Sequence, residues 1–206
     1  MAFQEKGKQL FDAGTSFARG VRIIDDLPLD RLPEIAFAGR SNVGKSSLIN
    51  ALVGSPIARA SNTPGRTQEL NFFKVSTRFY LVDLPGYGYA AAPKKTVETW
   101  TRLIHDYLRG RQQLKRAFLL IDARHGIKKV DENIMKMLDS AAVSYQIVLT
   151  KADKVKDSEL SKIYAKVMAD AKTHVACYPE ILITSSENGQ GIADLRGEIY
   201  KVIAGL

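Results

Sequence analysis

GRSNVGKSS, residues 39–47, stands directly after the apolar run IAFA (35–38) and opens into LINALV (48–53). The run before it is short and continuous, as a buried strand is. KSSLINALVG (45–54) has helical spacing and stops at Gly54. A glycine-bounded loop thus joins a strand to a helix, and Gly39–Ser46 matches G-x-x-x-x-G-K-[ST] in the context that pattern requires. Glycines let the backbone wrap until successive N–H groups point at phosphate oxygens. The helix N-terminus adds unpaired donors and the positive end of a dipole. Lys45 supplies a point charge for β- and γ-phosphates, and the Ser46 hydroxyl supplies a ligand for Mg2+.

Outward from this loop, apolar runs alternate with amphipathic stretches. ELNFFKV (69–75) and RFYLVDL (78–84) read as a β-hairpin, and AFLLIDA (117–123), YQIVLTKAD (145–153) and EILITSS (180–186) as further strands. Helical spacing is expected over 97–108, 131–141, 158–172 and 192–204. Strands alternating with helices predict an α/β fold, a three-layer α/β/α P-loop NTPase. Its sheet is expected to have six strands, mostly parallel, with one antiparallel edge strand. Residues 32–206 are expected to form a single nucleotide-binding domain, with 1–31 an N-terminal extension packed on it.

In such sheets ligands bind beyond the carboxyl ends of the strands. Three post-strand loops there separate the bases. In DLPG (83–86), Asp83 is placed to hold Mg2+ through water, and the Gly86 N–H to meet a γ-phosphate. In TKAD (150–153), the Asp153 carboxylate can accept from guanine N1–H and the exocyclic amine together, a donor pair that adenine lacks. The stem of Lys151 can lie across the base. In TSSENG (184–189), backbone N–H groups near Ser185 and Ser186 can meet the guanine carbonyl.

The bulk numbers bound the rest. With 206 residues, 45% hydrophobic and 25% charged, the chain is an ordinary globular one. Its apolar runs are strand-length, far below the roughly 20 residues of a membrane span, and its N-terminus lacks a secretory pattern. The single Cys177 fits a reducing cytosol, and His105, His125 and His174 have no metal-ligand spacing. The formal charge is +8. Residues 93–129 hold ten Lys or Arg against Glu98, Asp106 and Asp122, the footprint of a polyanion binder. Arg109, Arg111, Lys115 and Arg116 lie in no nucleotide motif and are expected on a docking surface beside the pocket.

Taken together, LPEIAFAGRSNVGKSSLINAL, TPGRTQELNFF, LVDLPGYGYA, IDARHG and TKADK resemble the EngB (YihA/YsxC) family of bacterial ribosome-assembly GTPases, within the TrmE-Era-EngA-EngB-Septin-like class. The resemblance runs from Leu32 over nearly the whole chain. It implies a cytoplasmic, monomeric, slow GTPase that cycles GTP and GDP and acts on the large ribosomal subunit or its rRNA-rich precursor, with a link to cell division and septation. It carries nucleotide contacts onto Gly39, Arg40, Ser41, Asn42, Val43, Gly44, Lys45 and Ser46, and onto Gly65, Arg66, Thr67, Gln68 and Glu69. It also carries them onto Asp83, Leu84, Pro85 and Gly86, onto Thr150, Lys151, Ala152 and Asp153, and onto Thr184, Ser185 and Ser186. Mg2+ ligands fall on Ser46 and Thr67, with Thr63 a rival in the same loop, and the catalytic groups on Lys45, Thr67 and Gly86.

Three positions depart from the commonest GTPase pattern. Tyr87 stands where many GTPases place a water-orienting Gln, which predicts slow turnover. Thr150 replaces the Asn that usually opens the base-reading motif, so one hydroxyl donor stands in for an amide. Asn42, in this class, implies a K+ ion near the phosphates. A nucleotide-gated ribosome- or RNA-binding module with negligible turnover would use the same pocket.

Overall fold

The computed structural model describes residues 2–58, 69–88 and 94–206, with side chains omitted at 94–97. The elements run α1 (Ala2–Asp12), β1 (Thr15–Val21), β2 (Glu34–Gly39), α2 (Lys45–Val53), β3 (Leu70–Val75) and β4 (Phe79–Asp83). They continue with α3 (Lys94–Gly110), β5 (Leu114–Asp122), α4 (Lys129–Ser140), β6 (Tyr145–Thr150), α5 (Asp157–Ala171), β7 (Leu182–Ile183) and α6 (Ile192–Ala204).

Strand alternation sorts the core into two layers. On β2, Ile35 and Phe37 point to one face of the sheet while Ala36 and Ala38 point to the other. The first face packs on Phe11 of α1, on Leu48, Ile49 and Leu52 of α2, and on Leu195 and Ile199 of α6. The second packs on Leu103, Tyr107 and Leu108 of α3, on Met135 and Leu138 of α4, and on Leu160 and Val167 of α5. Both faces are covered, so β2, β4 and β6 are buried at every position. This is the three-layer α/β/α arrangement expected from sequence.

The sheet has seven strands, not six, in the order β1-β3-β4-β2-β5-β6-β7. The added strand is β1, which pairs antiparallel with β3 from Thr15↔Val75 to Val21↔Leu70. The antiparallel strand β3 is therefore not the edge: it lies between β1 and β4 and is antiparallel to both. Four of the seven residues of β1 are exposed, which removes the alternation that would have revealed it. At the other edge, the long run at 180–186 shrinks to a two-residue strand.

Helix α1 docks on α6 at a crossing that needs glycine. A Cβ on Gly7 would stand 2.5 Å from the Arg196 carbonyl, and one on Gly197 would stand 3.2 Å from the Gln4 nitrogen. Among the described residues, no helix is long and apolar enough to cross a membrane.

The basic segment divides between the two ends of the sheet. Arg109, Arg111, Lys115 and Arg116 lie where α3 ends and β5 begins. Nine residues of β5 then span about 30 Å before Arg124, Lys128 and Lys129 follow at the other end. The expected surface beside the pocket thus does not include the first group. Two of its members are committed to structure as well. Arg111 pairs with the buried Glu34 and donates to Pro28 O at 2.9 Å. Arg116 donates to Gln146 at 3.0 Å and Glu198 at 2.9 Å, and stacks on Tyr178. Charge reversal at either residue would set a glutamate against a buried carboxylate, so neither is a clean probe of docking.

Candidate functional site

Strands β4, β2, β5, β6 and β7 are mutually parallel, so Asp83, Gly39, Asp122, Thr150 and Ile183 end at the same side of the sheet. The loops that follow these ends carry the nucleotide-contact residues singled out from sequence, except Gly65–Glu69, which precede β3.

The first loop, 39–46, bends where the chain permits it. Gly44 caps α2 with φ of 101°, a conformation open to glycine at little steric cost. Asn42, with φ of 60°, sits in the left-handed region, uncommon for a residue with a Cβ. Its carbonyl accepts from Lys151 Nζ at 2.5 Å. Lys151 is itself left-handed, with φ of 59°. Two strained residues from separate loops thus brace each other, as often happens at binding sites. The Val43 side chain is buried, and its carbonyl accepts from the Thr150 hydroxyl at 2.7 Å. Thr150 is itself buried. Its one donor is therefore spent joining the base loop to the P-loop, and the expectation that it would face the base is corrected.

Lys45 Nζ makes an ion pair with the Asp83 carboxylate, and both side chains are nearly buried. The two groups expected on the phosphate side thus already lie together. Leu84 and Pro85 are buried as β4 ends, and Leu84 N–H donates to Phe37 O at 3.0 Å. This keeps DLPG alongside the P-loop. A Cβ on Gly86 would lie 3.3 Å from Ser41 Oγ. Ser46 is half-buried at the start of α2. Glu69 stands apart: it binds Arg22 of the N-terminal segment, with Arg22 Nε donating to Oε1 at 2.6 Å. Gly65, Arg66, Thr67 and Gln68, together with the rival Thr63, lie outside the described residues.

At the base side, Asp153 Oδ1 accepts from the Ser185 hydroxyl at 2.6 Å. This bond, followed by the nearby Lys154 ammonium, holds the carboxyl below its usual range, so it is ionised at neutral pH. Asp153 Oδ2 is paired with Lys154 Nζ at 3.0 Å. Ser185 N–H donates to Gln190 O at 3.0 Å, so the open amide of this loop is Ser186's. Thr184 is buried, and its N–H and hydroxyl both bond Leu149 O. Ala152 N–H donates to Thr184 O at 3.1 Å, which ties the two base loops together.

Two acidic residues were not read from sequence. Asp122, at the end of β5, grips Arg124 through two side-chain bonds and Lys151 Nζ at 3.0 Å. Burial works to raise its pKa, but the Arg124 and Lys151 contacts outweigh burial and hold the carboxyl well below the usual range. It is thus a fixed negative post that aims Lys151. The post-strand rule already marks its place. Asp131, in the first turn of α4, is fully buried against Arg40 and Tyr87.

The donor set fits a nucleotide. A buried Ser41 hydroxyl has no hydrogen-bond partner and lies against Gly86 of DLPG. Buried polar atoms without partners are costly and point to a missing ligand.

A model described as a 50S ribosome-binding GTPase matches residues 34–151, and one described as the elongation factor Tu GTP-binding domain matches 102–204. A protein named probable GTP-binding protein EngB from Ruegeria pomeroyi is 60% identical over 95% of this chain and 90% of its own length. The same-named protein of Roseobacter denitrificans is 61% identical over 95% and 91%. A crystal structure of a probable GTP-binding protein EngB superposes with a TM-score of 0.65 at 23% identity, covering 84% of this chain and 99% of that one. Era in complex with MgGDPNP and nucleotides 1506–1542 of 16S ribosomal RNA also superposes at 0.65, with 23% identity over 83% and 56%. The last two establish the fold alone. With the first loop, the Lys45–Asp83 pair and the Asp153 carboxylate on one sheet end, and with such identity over nearly its full length, the chain is a GTPase and belongs to the EngB family of GTP-binding proteins.

Proposed function

We propose that the protein is a guanine-nucleotide switch whose slow, Mg2+-dependent GTP hydrolysis controls attachment to the large ribosomal subunit or its precursor. The observation that carries the reading is the pairing, at one sheet end, of a phosphate-side Lys45–Asp83 contact with a base-side Asp153 carboxylate held by the Ser185 hydroxyl. The description of the matching family model supports the ribosomal half. Mg2+ would be held by Ser46 and Thr67, with Asp83 through water, and would neutralise charge on the β- and γ-phosphate oxygens. The nucleotide would lie across Gly39–Ser46, Asp83–Gly86, Lys151–Asp153 and Ser186. Cytoplasmic location, a monomeric state and a contribution to normal division and septation belong to the same reading. So does the division of the chain into a 32–206 domain and an N-terminal segment.

The second reading, gating with negligible turnover, is favoured by one feature. The Tyr87 hydroxyl is bonded to Asp131 of α4 and is not free to orient water. Single-turnover GTP hydrolysis measured beside co-sedimentation with large subunits separates the two. Turnover at any rate above the uncatalysed one supports the enzyme, and binding with no turnover supports the gate.

Asn42 is exposed, and its left-handed backbone is fixed by Lys151. A K+ ion coordinated there would add positive charge that Tyr87 cannot supply. Hydrolysis is expected to run about tenfold faster in KCl than in NaCl at equal ionic strength, the effect of removing about 1.4 kcal/mol from the barrier. Identical rates remove the ion from the account.

Docking on RNA phosphates would use the basic side chains that remain exposed at the nucleotide end, Lys128, Lys129 and Lys156. Changing all three to Glu is expected to weaken subunit binding and flatten its salt dependence by up to about three counterions, while nucleotide affinity stays unchanged. Unaltered binding at physiological salt moves the docking surface elsewhere.

A further inference from the structure

We propose that Asp131 is a positioning residue for GTP hydrolysis, one that fixes the loop after DLPG against the P-loop through Tyr87 and Arg40. Asp131 has no exposed surface. One carboxylate oxygen accepts from Lys128 N–H at 2.8 Å and lies 3.3 Å from Arg40 Nε. The other accepts from the Tyr87 hydroxyl at 2.8 Å. Helix capping uses only the first of these contacts. The other two reach out of α4 to the second residue of the P-loop and to the residue directly after Gly86.

Tyr87 is held at both ends. Its carbonyl accepts from Ser41 N–H at 3.0 Å, and its own N–H donates to Gly39 O at 3.3 Å, which makes a parallel bridge between Arg40 and Tyr87. Its hydroxyl is held by Asp131, and burial, with the neighbouring carboxylate adding to it, keeps that phenol protonated as a donor. Gly86 is therefore fixed from one side by Asp83 and Leu84 and from the other by Tyr87.

A water-orienting glutamine acts through its side chain. Tyr87 sends its side chain the other way, so what this loop contributes is the placement of its backbone, above all the Gly86 N–H that faces the γ-phosphate position in the proposed complex. Placement is only as good as its anchor, and a small displacement at a reacting centre is felt in rate more than in binding.

The inference rests on the GTPase reading. Tyr87→Phe removes one oxygen and keeps the ring. It is expected to lower kcat about fivefold or more, with KM and GDP affinity within about twofold, the pattern of an interaction that matters in the transition state. Asp131→Asn keeps a single acceptor oxygen, so it loses either the Lys128 N–H bond or the Tyr87 bond along with its charge toward Arg40, and is expected to lower kcat comparably. The double variant should be no slower than the slower single one, because both act on one anchor. A purely structural role predicts a lower melting temperature with kcat unmoved in the folded fraction, and that result overturns the proposal. Multiplicative losses in the double variant overturn it as well. If Tyr87→Phe fails to fold, Asp131→Asn alone carries the kcat-against-KM comparison. Absence of turnover in the unmodified protein overturns both readings; turnover unchanged by the variants overturns this one only.

Discussion

Asp153→Asn is expected to lower GTP affinity about a hundredfold or more and to raise affinity for xanthosine triphosphate at least about tenfold. A carboxylate accepting from two guanine donors makes two charge-assisted bonds, each worth about 1.5–3 kcal/mol. In the free protein one oxygen takes the Ser185 hydroxyl and the other lies 3.0 Å from the Lys154 ammonium, which keeps the carboxylate aimed and ionised. An asparagine presents one acceptor and one amide. Its NH2 meets the guanine amine donor to donor, but the 2-oxo group of xanthine acceptor to donor. Competition titration with GTP and xanthosine triphosphate reads the exchange directly. GTP affinity retained within threefold, in a variant that melts normally, would place the base elsewhere.

The second large effect is at Lys45. Lys45→Ala is expected to weaken GTP binding about a hundredfold, since one ammonium facing two phosphates contributes roughly 3 kcal/mol. GDP, lacking the γ-phosphate, should lose less. The measured loss is a difference. Lys45 must leave Asp83 to reach phosphate, so part of its gross interaction is already present in the free protein. The alanine variant also leaves Asp83 nearly buried without that cation, and the free protein should melt at a lower temperature than the unmodified one. Fluorescence titration with both nucleotides, on protein shown to be folded, checks the order; equal losses for GTP and GDP would take Lys45 off the γ-phosphate.

The parts of this site that sequence made legible share one property: each follows a strongly apolar strand. β2, β4 and β6 are buried at every position, so Gly39–Ser46, Asp83–Gly86 and Thr150–Asp153 could be placed by strand ends alone. The edges were less legible. β1 exposes Ser16 through Arg19 and forms only because the β3–β4 hairpin offers it a partner. α1 was missed for a related reason. Gly7 interrupts its helical pattern, and that glycine exists to admit α6, a contact visible only in three dimensions. Charge misled in the opposite direction. Ten cations in one stretch of sequence read as one patch, yet β5 carries the chain from one end of the sheet to the other, and Glu34 and Glu198 claim two of them. Asp131 reads in sequence as an ordinary acid in a first helical turn. Its link to Tyr87 is 44 residues long in the chain and 2.8 Å in space.

The measurement closest to the central claim is calorimetric titration of the unmodified protein with GDP and with ADP, each in excess Mg2+. The two ligands share phosphates, ribose and metal, so Lys45, Ser46 and Asp83 treat them alike. In the proposed complex the Asp153 carboxylate and the Ser185–Ser186 loop tell them apart. GDP is expected to bind about a hundredfold more tightly, the worth of roughly 3 kcal/mol in paired donors and acceptors. Equal affinities would contradict the account.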